Sequence, residues 1–345
     1  MKHKAMEVIR HREYQADSCP TFGPESVGIV PTHACNLNCI TCWSYSPLLA
    51  TKPSKAWKTK QLPFPILQNL LPELATLGTR RIILTGGGDP LVYPHFNETV
   101  MLAKKLGLKV TLISNLTLIQ DLPTFLQLEI DTIQANFSAA DPASYVAFHP
   151  NRKSKDFTHL LETLSAIAQT STELKLVCVI CRVNAHLIPA MLHLAKELGA
   201  GIQFKLMSIA EGTAKVSIDE PQRQKLHEQA VSLQQLALEL GVKTNLSAFF
   251  QTLRGENVHS FPIDEIGCFA GLWYSRIWAD GTVHYCCNPT ETLHVGSLHE
   301  QSFTEIWRGE AYQTLRVQLR SGHFVAGCQQ CGKFDLNWRL AAVKV

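Results

Sequence analysis

Between Val27 and about Ser208, short runs of β-branched and other apolar residues alternate, in six units, with stretches whose apolar positions recur every three to four residues. Such alternation predicts a parallel sheet covered by helices, because each crossover buries its apolar stripe on the sheet. Strands are expected at 27–31, 80–85, 109–115, 131–138, 174–183 and 201–208, with helices near 64–77, 96–106, 122–128, 155–169 and 185–199. Glycine closes two of those helices, at Leu106-Gly107 and Leu198-Gly199, where a left-handed residue ends a helix without steric cost.

Several of these strands carry polar residues at every second position, and alternate residues of a strand share a face. Gln134, Asn136 and Ser138 fall together, opposite Ile133, Ala135 and Phe137. Likewise Gln203, Lys205 and Met207 fall opposite Ile202, Phe204 and Leu206. An open parallel sheet would be apolar on both faces. A polar inner face predicts instead a partial (β/α)6 barrel of TIM-like type, with its binding site in the lumen and its chemistry at the carboxyl ends of the strands.

After Glu211 the pattern changes to a helix from about Glu220 to Leu240, a short strand near Val242–Leu246, and a glycine- and proline-punctuated link to Cys268. The run Trp278-Ala279-Asp280-Gly281-Thr282-Val283 sets an Asp-Gly turn between alternating strands, a hairpin signal. The expected division is an N-terminal extension (1–23), the barrel (24–215), a connector (216–260) and a small cysteine-bearing module (261–345).

The 345 residues, 46% hydrophobic and 18% charged, suit a globular protein with a large core. A net charge of +3 from scattered basic residues argues against nucleic acid as a partner. No apolar run reaches membrane-spanning length, and Met1-Lys2-His3-Lys4 leads into polar residues, so a cytoplasmic location away from membranes is expected. Eleven cysteines is a high and odd number for a reducing compartment, where grouped thiols read as metal ligands or redox groups.

The first group lies in Pro31-Thr32-His33-Ala34-Cys35-Asn36-Leu37-Asn38-Cys39-Ile40-Thr41-Cys42-Trp43, directly after the first strand. Three thiolates fit one four-iron four-sulfur cluster and leave its fourth iron without a protein ligand. S-adenosylmethionine (SAM) can chelate that iron, and an electron from the cluster can break the sulfonium bond to give a deoxyadenosyl radical. The other reading is a zinc site with His33 as fourth ligand.

The Cys-x3-Cys-x2-Cys spacing after the first barrel strand resembles the signature of the radical SAM superfamily, which implies Cys35, Cys39 and Cys42 as cluster ligands. That family often has an aromatic residue before the last cysteine; this chain has Thr41 there and Trp43 after it, which makes Trp43 a candidate to shield the cluster or touch adenine. The resemblance extends to Gly86-Gly87-Gly88-Asp89-Pro90 after the second strand, which looks like the family's Gly-Gly-Glu-Pro motif with Asp89 replacing glutamate. It further implies a ribose contact at Ser114 and Asn115, and carboxylate contacts at Ser138 and at Arg182 or Asn184.

Cys268, Cys286, Cys287, Cys328 and Cys331 bracket the hairpin, a metal-clip pattern in a segment too short to hold itself together by burial. Zinc is one reading. With the intervening Gly296-to-Trp307 segment, the order resembles the SPASM/twitch modules of radical SAM enzymes, which implies one auxiliary four-iron four-sulfur cluster on Cys268, Cys286, Cys328 and Cys331. Cys287 is a spare thiol or the ligand in its neighbour's place.

The resemblance implies a net oxidation of a sugar-, aminocyclitol- or nucleoside-like molecule: the deoxyadenosyl radical takes a hydrogen atom, a base takes a proton, and the auxiliary cluster accepts an electron. Flavodoxin or ferredoxin is the expected electron donor. Lys205 is the candidate base or substrate anchor, with a charge-paired surface role as the alternative, and Cys178 or Cys181 is a candidate hydrogen-atom donor or a buried small hydrophobe. Cys19 has no assigned role. A peptide-modifying maturase is the alternative within the enzyme class, although only about 25 residues precede the barrel where many such enzymes place a leader-binding domain. An iron–sulfur electron carrier or zinc scaffold is the alternative outside it.

Overall fold

The computed structural model describes residues 19–255, 263, 267–287, 291–326, 328 and 337. Six parallel strands follow in turn: β1 (Ser26–Ile29), β2 (Arg81–Leu84), β3 (Lys109–Ser114), β4 (Thr132–Asn136), β5 (Glu173–Ile180) and β6 (Gly201–Leu206). Helices α1 (Lys55–Lys58), α2 (Phe64–Thr76), α3 (Phe96–Lys105), α4 (Leu122–Leu126), α5 (Pro142–Phe148), α6 (Ser154–Ala168) and α7 (Ile188–Glu197) fill the crossovers. Their apolar stripes explain the packing: Leu67, Leu70, Leu71 and Leu74 of α2, and Phe157, Leu160, Leu164 and Ile167 of α6, are all buried.

The register sorts the two faces of the sheet. Val27, Ile82, Val110, Leu112, Ile133, Leu174, Leu176 and Ile202 align across neighbouring strands and are buried beneath the helices. On the other face Asn136, Val177 and Gln203 align, as do Val179 and Lys205, and there Asn136, Gln203 and Lys205 are exposed. That open polar face is the lumen of a partial barrel.

The strand expected near Val242–Leu246 is instead a single bridge, Ile202 to Thr244. Its ladder is replaced by the side chain of Asn245, whose Oδ1 accepts from Phe204 N (2.8 Å) and whose Nδ2 donates to Phe204 O (3.0 Å). The expected helix over 220–240 is α8 (Glu220–Glu228) and α9 (Ala230–Leu240), interrupted at Gln229, and α10 (Leu246–Leu253) follows. A groove of about 480 Å³ between β5, β6 and residues 241–245 opens at the amino ends of these strands, away from the cysteine loop.

Beyond it come α11 (Ala270–Trp273), β7 (Tyr274–Ile277), β8 (Thr282–His284), β9 (His294–Ser297), α12 (Phe303–Arg308) and α13 (Glu310–Arg320). The Asp-Gly turn forms as expected, with Gly281 at φ 80° and its N–H on Trp278 O. The hairpin does not stand apart: β7 pairs in parallel with β1, so one nine-stranded sheet runs from β6 through β1 to β9.

Candidate active site

The cysteine loop leaves β1 and is pinned on both sides. His33 N donates to Lys60 O (3.0 Å), and Ile40 N donates to Phe148 O (3.0 Å) at the end of α5. Asn36 receives Asn115 Nδ2 (3.1 Å) and donates to Thr117 Oγ1 (2.8 Å), while its carbonyl accepts from Asn151 and Arg152. Asn38 Oδ1 accepts from Asn151 N at 3.1 Å. These amides, interleaved with the cysteines, escaped the sequence reading; their alternation with the thiols was the signal available.

Within this frame Leu37 N donates to Cys35 Sγ (3.4 Å), and Ser44 N and Tyr45 N donate to Cys42 Sγ (3.4 and 3.3 Å). Backbone N–H groups aimed at sulfur suit thiolate charge and tune the potential of a cluster held there. Burial raises the free Cys35 thiol to about 12 and the Cys39 thiol further, with the neighbouring thiols adding to the rise. Thiols so raised stay protonated until a metal displaces the proton, which then leaves to solvent. Among the described residues, no three histidine, cysteine, aspartate or glutamate side chains gather as a single metal ion requires. The donor set fits a larger cluster better than a zinc ion.

The glycine run folds directly onto this loop. Asp89 N donates to Ala34 O at 2.8 Å, and a Cβ at Gly88 would lie 1.9 Å from that same oxygen. A Cβ at Gly87 would lie 2.8 Å from the His33 ring, which stacks on Trp57 at 4.0 Å. Gly88 is needed so that two backbones can touch, and Gly87 so that the His33 ring can close on the run.

Two family models match the chain: residues 29–195 fit the one described as "Radical SAM superfamily", and residues 268–332 fit "Iron-sulfur cluster-binding domain". Residues 29–195 thus carry a radical SAM domain. It is similar to the AdoMet-dependent heme synthase of Methanosarcina barkeri, 23% identical over 312 residues and 86% of each chain. It is also similar to the PqqA peptide cyclase of Xanthomonas campestris, 26% identical over 91% of this chain and 81% of that one. In fold it resembles Streptococcus suis SuiB bound to S-adenosylmethionine, with a TM-score of 0.64 and 15% identity over 91% of this chain and 72% of that one. A four-iron four-sulfur cluster, SAM and auxiliary iron–sulfur chemistry are therefore its cofactors.

The structure changes the expected parts of several residues of this radical SAM site. Asp89 turns inward: its buried carboxylate accepts from Leu91 N (2.9 Å), Asn115 N (2.8 Å) and Ser114 Oγ (2.9 and 3.0 Å). Burial raises its pKa against the pull of these bonds. Ser114, fully buried on the helix side of β3, is therefore occupied by Asp89 rather than by a ribose. Asn115 bridges Asn36 and Thr117.

Ser138 and Asn184 tie strand ends together instead of facing the mouth. Ser138 Oγ accepts from Val179 N (3.0 Å), and the wholly buried Asn184 donates to Ser138 O (2.8 Å) and Val179 O (2.9 Å). Arg182 reaches away to Asp219 (3.6 Å) and Ser217 O (3.4 Å), anchoring the 216–222 segment. Trp43, 54% exposed, stands beside Cys42 with its ring edge-on to Trp57 at 5.7 Å.

Cys178 aligns with Phe204 on the helix-covered face and bonds Phe137 O at 2.6 Å, so it cannot serve the lumen. Cys181 is buried among Ile40, Phe148 and Met207, and that burial raises its thiol to about 11. Lys205 is exposed on the lumen face and makes no ion pair among the described residues.

In the iron–sulfur domain, Cys268 is buried in the main core, and Cys286 and Cys328 pack partly buried against it. Cys287 is half-buried, and Cys331 lies outside the described residues. Burial raises the Cys328 thiol and, with the adjacent Cys286 and Cys287 adding, the Tyr274 phenol to about 12. The domain is braced by Arg316, whose guanidinium lies over the rings of Trp307 (4.4 Å) and Tyr312 (4.3 Å) and donates to Gly271 O and Trp307 O.

Proposed function

We propose that this protein is a radical SAM oxidoreductase whose SAM-binding cluster is held by Cys35, Cys39 and Cys42 and whose auxiliary cluster is held by Cys268, Cys286, Cys328 and Cys331. When bound, cluster and SAM supply a carbon radical that takes a hydrogen atom from a substrate, and the auxiliary cluster is the sink for the electron left behind. The observation that carries this reading is the contact of the three-cysteine loop, which leaves the carboxyl end of β1, with Gly88 of the run that follows β2.

The chain's own residues do the rest. Asn36, Asn38 and Asn115 fix the loop, Asp89 and Ser114 hold the glycine run against it, and Trp43 and Trp57 cover it on the α1 side. Lys205, exposed on the lumen wall and without an ion pair among the described residues, is placed to take the substrate proton or anchor its polar group. The favoured substrate is a small polar molecule that fits the lumen, with reduced flavodoxin or ferredoxin as donor. Similarity to a PqqA peptide cyclase over 91% of this chain supports a second reading, a peptide substrate.

The test is anaerobic reconstitution followed by SAM and dithionite. Deoxyadenosine and methionine should form, and Cys35→Ala should abolish both and remove about four iron atoms per chain. Intact SAM in the wild-type reaction would leave a carrier or scaffold as the function. Host extract fractions that accelerate deoxyadenosine formation then separate small molecules from peptides.

A further inference from the structure

The register puts one cation, Arg276, on the lumen face of β7. Arg276 of β7 aligns with Gly28 of β1, while Ile277 aligns with Ile29 on the helix-covered face. Val27, Ile29 and Ile277 are wholly buried, so Arg276 points to the opposite face, into the lumen. Two residues further toward the strand's carboxyl end Trp278 keeps that face, and the Arg276 guanidinium lies over its ring at 4.7 Å. The Trp278 ring meets the His33 ring of the cysteine loop edge-on at 6.2 Å. This pair therefore stands in the lumen wall beside the cysteine loop.

Arg276 is bonded to Tyr274 but makes no ion pair among the described residues; Asp280, the acid on its own hairpin, is taken by Lys60 at 3.0 Å. Among the described residues, Arg276 Nε and Trp278 Nε1 are both buried N–H donors without an acceptor. Two such donors destabilise the fold until an acceptor reaches them. A delocalised cation with two adjacent donors matches a planar anion that offers two oxygens.

We infer that Arg276 and Trp278 form a carboxylate-binding subsite of the lumen, and that the substrate of the radical reaction carries a carboxylate held there. This rests on the function proposed above. It makes the iron–sulfur domain a contributor to substrate recognition as well as to electron acceptance, because β7 and its hairpin supply both donors.

The test is phenylglyoxal modification of the reconstituted holoprotein, with Arg276 adducts followed by peptide mass spectrometry in the presence of benzoate, benzamide, inorganic phosphate or SAM. Benzoate should half-protect Arg276 at a concentration about tenfold below benzamide's, as one charge-assisted pair requires. Trp278→Phe keeps a ring under the guanidinium and deletes only the indole donor, so it should weaken benzoate protection about threefold or more. Equal protection by benzamide, or stronger protection by phosphate, would overturn the assignment. Protection by SAM at its own binding concentration would assign the arginine to the SAM carboxylate and overturn it too. Deoxyadenosine formation is measured separately: benzoate protection in a protein that leaves SAM intact would sink the radical reading and leave the subsite standing.

Discussion

Gly88→Ala places one methyl group between the two backbones that meet at the candidate active site. Its carbon would stand 1.9 Å from Ala34 O and 2.4 Å from His33 O, where carbon and oxygen approach no closer than about 3.3 Å. The cysteine loop would have to retreat by about 1.4 Å, and misplacement on that scale lowers turnover by on the order of a hundredfold. Overpacking of this kind costs about 1–3 kcal/mol. The assay is iron per chain, deoxyadenosine formation and thermal unfolding, with Gly107→Ala as the comparison. Gly107 has φ 75° but nothing within 4 Å of an added methyl, so alanine there costs only backbone strain of about 1 kcal/mol and leaves the chemistry alone. Wild-type iron content and SAM cleavage in Gly88→Ala would refute the idea that the glycine run positions the cysteine loop.

Ser114→Ala removes a hydroxyl shared by both oxygens of the buried Asp89 carboxylate, and should lower stability by about 2 kcal/mol; an unchanged denaturant midpoint would mean that Asp89 does not depend on it. His149 is held near pKa 4 chiefly by burial, with the Tyr145 carbonyl opposing and Arg152 adding. The unfolded chain takes up that proton first, at about pH 6.5, so stability should fall by on the order of 2–3 kcal/mol between about pH 6.5 and 4. His149→Gln should flatten that slope, and an identical slope in both proteins would count against it. Asp280 behaves oppositely: burial would raise its carboxyl, but bonds from Thr282 and Lys60 bring it down to about 2. Its contribution is complete above about pH 4 and lost as pH falls toward 2, so the stability gap between wild type and Asp280→Asn should be present at pH 6 and absent at pH 2.

The strands were legible because both faces obey a period of two: the buried set Ile133, Ala135 and the exposed Asn136 separate in the sequence as they do in space. The cysteine loop was legible because its Cys-x3-Cys-x2-Cys spacing resembles the radical SAM signature. Other features depend on contacts between segments distant in sequence. Nothing local says that Ser114 will be spent on Asp89, 25 residues away, or that Asn184 will cap the ends of β4 and β5. The strand expected near Val242–Leu246 failed for the same reason, since the Asn245 side chain supplies the bonds that a ladder would have made. Helix α5 could have been read from Asp141-Pro142-Ala143-Ser144, whose ends form a reciprocal cap.

The cysteine-bearing module is joined to the barrel through the sheet itself. Val30 N donates to Ile277 O (2.8 Å), so the β1–β7 ladder continues to the point where the cysteine loop begins. Around it Glu73 accepts from Thr304, Phe22 O accepts from Trp307 and Lys60 pairs with Asp280, three ties between segments more than 200 residues apart in sequence. Without β7, β1 would be an open edge strand of the kind that recruits other chains, and the lumen would lose Arg276 and Trp278 from one wall. Hairpin and cysteine loop are thus positioned by one strand, β1, rather than by a docking interface. Any shift of β7 along β1 by one residue would exchange Arg276 for Ile277 in the lumen, burying a guanidinium under helices, and this penalty fixes the register of the hairpin that carries Cys286.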